Sequence, residues 1–166
     1  MTAVRELLAE GTFHTTTVEE VAARAGVSRA TLYQHFGTRL GLVDAMCDTF
    51  DENPDLVALR QTDDLDSWLE RVVAFCSAEE KTLVQLYGAA AVDPAARDLV
   101  ARQQRDRHAE VRRLLRSLGI ADRQAFAALA LLTSFETYLE LRRNVGLTKK
   151  DVVKTLQSTA HRLLQT

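Results

Sequence analysis

Within Arg24–Phe36, read RAGVSRATLYQHF, five side chains have no evident structural duty: Arg29, Thr31, Tyr33, Gln34 and His35. Their chemistry suits a nucleic-acid duplex. Arg29 and Gln34 can hydrogen-bond base edges, and Thr31 can meet a thymine methyl or a phosphate. Tyr33 and His35 are suited to phosphate oxygens. Two more hydroxyls, Thr17 and Ser28, stand where helices should begin, and there free amides and the helix dipole favour a phosphate. The competing expectation is that Tyr33, Gln34 and His35 simply cover a small three-helix core. As a set at these spacings, they favour the duplex.

The elements that must position them are written locally. Thr17-Val18-Glu19-Glu20 is a capping box, and Val18, Val21, Ala22 and Ala25 form an apolar face at helical spacing. Gly26 ends that helix as a left-handed cap residue would. Ser28 then caps a second helix, in which Leu32 and Phe36 lie one turn apart and point inward. Two short helices joined at Ala25-Gly26-Val27 have the grammar of a helix-turn-helix. After Gly37, Thr38 can cap a helix running through Leu42, Val43, Met46 and Phe50; upstream, Val4, Leu7 and Leu8 mark a short first helix ending near Gly11.

The run Thr16–Phe36, TTVEEVAARAGVSRATLYQHF, resembles the DNA-binding signature of TetR-family transcriptional regulators. The match is dense over about thirty residues, and beyond them it is one of pattern only: a second, all-helical domain. The resemblance implies a homodimeric repressor in which a small molecule, bound in the second domain, moves two reading heads apart and releases the operator. Where the family commonly shows Lys-Glu at the opening of the fourth helix, this chain has Arg39-Leu40-Gly41. Arg39 can still meet a phosphate, whereas a glycine inside a helix costs up to ~1 kcal/mol. Only ten residues precede Gly11 and no basic arm is among them, so either the chain is short or its start lies upstream.

From Asp51 to Asp66 acidic residues face a single Arg60 and Pro54 blocks a helix, so a solvated connecting loop is expected rather than a calcium site. Helices are then expected over about 66–77, 79–91, 94–118, 123–145 and 149–164, with Asp93-Pro94 as a start and Gly119 and Gly146 as stops. The 123–145 helix is apolar nearly all round from Phe126 to Leu132, which requires cover on both sides. With Val152, Leu156, Ala160, Leu163 and Leu164 of the last helix, it would form half of a four-helix bundle completed by a second copy. Pairing through 123–145 and 149–164 would set two recognition helices ~34 Å apart on a pseudo-palindromic site. Burial within one chain is the alternative.

The helix from Pro94 should turn Val100, Gln104, Arg107/His108, Val111, Leu115 and Leu118 inward. Gln104 and His108 on that apolar line could face a cavity walled by Trp68, Phe75, Tyr87, Phe135 or Tyr138 and bind an effector. A rotated helix or internal bonds would serve equally. Its seven arginines from Arg97 to Arg116 are expected on a solvated face, paired with acids one turn away.

Composition bounds the rest. Of 166 residues, 46% are apolar, enough for a core, and 7 Gly with 2 Pro favour helices. A net charge of −2 requires any nucleic-acid surface to be local. Cys47 and Cys76 show no metal or disulfide spacing, and no apolar run reaches membrane length. His14, His35, His108 and His161 are scattered, without a catalytic signature. The expectation is therefore an all-α cytoplasmic protein, neither enzyme nor membrane protein, with no cofactor and no metal. Residues 1–50 would form the helix-turn-helix domain that binds double-stranded DNA, and 51–166 a ligand-sensing, dimerising domain. A ligand-binding or interaction protein without DNA affinity, and an enzyme on a helical scaffold, are the competing classes.

Overall fold

A computed structural model describes residues 6, 17–38, 41, 42, 44, 45 and 54–164. Apart from Glu6, which is helical, the expected first helix lies outside the described residues, as do Arg39, Val43, Met46, Cys47 and Phe50. The described segments are helices and connections with no strand among them. The fold is all-α. The chain forms two compact units, Met1–Glu52 with Glu79–Arg102, and Asn53–Ala78 with Gln103–Thr166.

In the first unit, α1 (Val18–Ala25) packs on α2 (Arg29–Phe36). The capping box is complete: the Glu20 amide donates to Thr17 Oγ1 at 3.2 Å and the Thr17 amide to Glu20 Oε2 at 2.7 Å. Gly26 at φ 68° stops α1, and the Val27 amide folds back onto the Ala22 carbonyl at 3.0 Å. Val21, Ala22, Leu32 and Leu42 supply the buried contacts here.

Helical backbone resumes at Gly41 and Leu42, where Thr38 Oγ1 accepts from the Gly41 amide at 3.0 Å. A Cβ on Gly41 would lie 1.9 Å from the Phe36 carbonyl oxygen. The glycine that costs helix propensity is thus what lets the chain close tightly after α2. The unit also holds α5 (Glu80–Ala90) and the opening of α6 (Pro94–Ser117), whose Arg102 pairs with Asp44.

The second unit opens with a correction. Residues 54–60 are not loop but a helix, α3 (Pro54–Arg60). Proline at the first helical position has its φ preset and no missing partner, so it starts this helix instead of blocking it. Asp64 then accepts from the Ser67 amide at 2.8 Å and opens α4 (Leu65–Ala78), which buries Trp68, Leu69, Val72, Val73 and Cys76.

A second correction concerns 123–145, expected as one helix. It is α7 (Arg123–Leu132), α8 (Phe135–Leu139) and a π-helical turn over Glu140–Asn144. Hydroxyls take over the bonds a continuous helix would make. Ser134 Oγ accepts from the Thr137 amide at 3.1 Å and Thr137 Oγ1 donates to the Leu131 carbonyl at 2.7 Å, while Thr133 Oγ1 adds a bond at 2.7 Å to a Leu129 carbonyl that keeps its helical donor, the Thr133 amide. The Ala130 carbonyl, left without a helical donor, accepts from Arg107 Nη1 at 2.6 Å. The last helix, α9 (Lys149–Leu164), buries Val152, Leu156 and Ala160 and packs on α4 and α7.

The arginines of α6 are correspondingly not all solvated. Arg113 donates to Glu110 at 3.0 Å, to Asp63 at 2.7 Å, and to the Leu59 and Thr62 carbonyls at 3.0 and 2.8 Å. It ties α6 to the end of α3, a role hidden from a one-turn pairing rule. Val111, Leu114 and Leu115 line the buried side, whereas Leu118, expected inward, is exposed because the helix ends before it.

Candidate nucleic-acid interface

Ser28 fixes where α2 begins. Its Oγ accepts from the Thr31 amide at 3.1 Å and lies 2.8 Å from Thr31 Oγ1. From that start, Leu32 is buried and Phe36 half-buried, while Arg29, Tyr33, Gln34 and His35 are exposed. Arg29 and Tyr33 are one turn apart, and the guanidinium lies over the phenol ring at 5.2 Å from its centroid. Helical spacing thus sets one turn's worth of polar groups outward on a rigid, doubly capped element.

The hydroxyls have partners of their own. Thr31 is half-buried against Ser28, and the Thr17 amide and hydroxyl both face the Glu20 carboxylate. A phosphate at the start of α1 would have to replace that carboxylate. His35 lies beside Phe36, with ring centroids 6.1 Å apart, and Arg39 is outside the described residues.

One further residue joins the set without a signal in the sequence. Glu19 on α1 forms an ion pair with Arg29 across the turn, with both side chains more than half exposed. Hydrogen bonding to Tyr33, and then the Glu19 charge, hold the Arg29 guanidinium above its ordinary high value. It is a permanent cation. A capping-box position gives no sign that its neighbour will meet a residue of the next helix; only the turn geometry brings them together.

The residues expected to hold an effector are distributed differently. Trp68 is fully buried in α4, and its Nε1 has no hydrogen-bond partner among the described residues. Phe135 and Tyr138 of α8 are buried and stacked, centroids 6.0 Å apart, and α8 packs on α4. Phe75 and Gln104 are half-buried. His108 meets the edge of Phe126 at 5.6 Å, and its Nε2 lies 3.2 Å from Arg107 Nη2. Burial, then the Arg107 and Arg112 charges, lower its pKa below the usual imidazole value. Tyr87 belongs to the first unit and the other six to the second.

Residues 1–46 match the family model described as "Bacterial regulatory proteins, tetR family". The match takes in the capping box, the Gly26 turn, α2 and the tight closure at Gly41. No curated protein sequence matches the chain.

Proposed function

We propose that this chain, whose residues 1–46 match the tetR family model, is a transcriptional repressor that binds a pseudo-palindromic operator as a homodimer and is released by a small molecule. Residues 1–50 read DNA, and 51–166 sense the effector and dimerise. Helix α2 enters the major groove, where Gln34 and Arg29 address base edges. Thr31, Tyr33, His35 and Arg39 hold the phosphate backbone, with the caps Thr17 and Ser28 aimed at further phosphates.

The observation that carries this proposal is the exposed row Arg29, Tyr33, Gln34 and His35 on a helix fixed by Ser28 and anchored by buried Leu32. Solvent-facing leucines at Leu131 of α7 and Leu163 of α9 support pairing through the helices of 123–145 and 149–164. Effector binding among Trp68, Phe75, Gln104, His108, Phe135 and Tyr138 would need to favour a mismatched head separation by only a few kcal/mol to empty the site. No helix among the described residues is long and apolar enough to cross a membrane; the proposed work on DNA is in the cytoplasm.

The roles of two neighbours on α2 give the test. Tyr33→Ala should weaken binding to every duplex and lower its salt dependence, whereas Gln34→Ala should change which sequence is preferred. An equal loss on all sequences from the Gln34 change would refute base reading by α2.

A further inference from the structure

Helix α9 carries a second feature that DNA binding leaves unused. Beside its buried line of Val152, Leu156 and Ala160, its Lys149, Lys150 and Lys154 line a recess shared with Arg71 of α4. Ala74 and Val153 add apolar wall, and the recess measures about 730 Å³. That falls within the roughly 300–1,000 Å³ typical of small-molecule sites.

Charge says what would occupy it. Four cations, Arg71, Lys149, Lys150 and Lys154, line the recess against one carboxylate, Glu70, leaving a surplus of three positive charges in a chain whose net charge is −2. The acids nearby have partners: at the recess wall Gln157 Nε2 reaches the Glu70 carboxylate at 3.5 Å, and His161 meets the Asp66 carboxylate at 2.8 Å. The three lysines have no ion pair among the described residues. Lys150 and Lys154 sit one turn apart, an arrangement of like charges that costs stability until an anion relieves it.

We propose that this recess binds a small organic anion carrying at least two carboxylate or phosphate charges. Cations converging on one concavity suit a compact anion; a duplex would be met by donors spread along a face. The site is distinct from the residues assigned to DNA, which lie in the other unit, and from the buried set around Trp68. By helical spacing, Thr155 and Thr159 lie on the flank of the buried line of α9 away from Val153 and Lys154, so pairing of two copies through that flank leaves the recess open.

The full chain is titrated with citrate and, separately, with inorganic pyrophosphate, followed by calorimetry and by amide NMR shifts, with glycerol as the uncharged control. Saturable binding is expected, with shifts at Arg71, Val153 and Lys154 and weakening at higher salt. The double variant Lys150→Gln/Lys154→Gln, two exposed positions, should bind about tenfold more weakly with an unchanged helical spectrum. Binding of citrate alone would assign carboxylates, and of pyrophosphate alone phosphates, each upholding the site. Absence of saturable binding by both, equal affinity in the double variant, or displacement of the probes by a short duplex would overturn it.

Discussion

Arg29 is held from two sides, by Glu19 across the turn and by the Tyr33 ring beneath it. To touch a guanine edge it must give up the carboxylate, and Glu19 would also face incoming phosphates. Glu19→Gln should therefore tighten duplex binding by roughly two- to fivefold at fixed salt, read by fluorescence anisotropy. Unchanged or weaker binding would mean that the pair orients Arg29 instead of competing for it. His108 offers a pH effect. Its folded-state pKa is lowered, so the unfolded chain takes up the proton more readily and folding loses stability as pH falls through the usual imidazole range. Thermal unfolding between about pH 7 and 5 should show a steeper loss in the wild type than in His108→Gln. Asp64, whose carboxyl is held low by hydrogen bonds from the Ser67 backbone and side chain, stabilises the fold at neutral pH and loses that contribution only as pH falls through and below the ordinary carboxylate range.

At the scale of the element, the tightest constraint is a contact that no periodicity reveals. A Cβ at Gly41 would meet the Phe36 carbonyl at 1.9 Å, so Gly41→Ala should destabilise the first unit by about 1–3 kcal/mol in urea unfolding, although alanine is the better helix former. The break after Leu132 depends on Arg107. Arg107→Met should cost about 1–3 kcal/mol by stranding the Ala130 carbonyl, while Arg105→Met, on an exposed position, should cost little. These cases mark what is legible in the sequence. Capping box, Gly26 turn and Ser28 cap are readable because donor and acceptor lie within three or four residues. The break is not: the apolar run Phe126–Leu132 continues the helical period towards it, and the arginine that satisfies the freed carbonyl lies 23 residues away. Pro54 misleads because the same residue stops a helix from within and starts one from its first turn. For the candidate interface, the outward row on α2 is legible and the Glu19 contact is not.

At the scale of the whole molecule, one reading head would grip few phosphates, and a net charge of −2 provides no broad attraction to make up the difference. Two heads on one operator supply the affinity that one lacks. Leu131 is 68% exposed on α7, so Leu131→Asp should leave folding nearly intact, yet give monomers by sedimentation at micromolar concentration and abolish cooperative operator binding. A wild-type chain that is itself monomeric there would remove the dimer from the mechanism. The central claim is tested most directly by selection from a randomised duplex pool at about 0.15 M salt. The account predicts enrichment of a two-fold symmetric motif with half-sites about one helical turn apart, lost when Tyr33 is replaced by alanine. A pool that emerges without any enriched motif would contradict it.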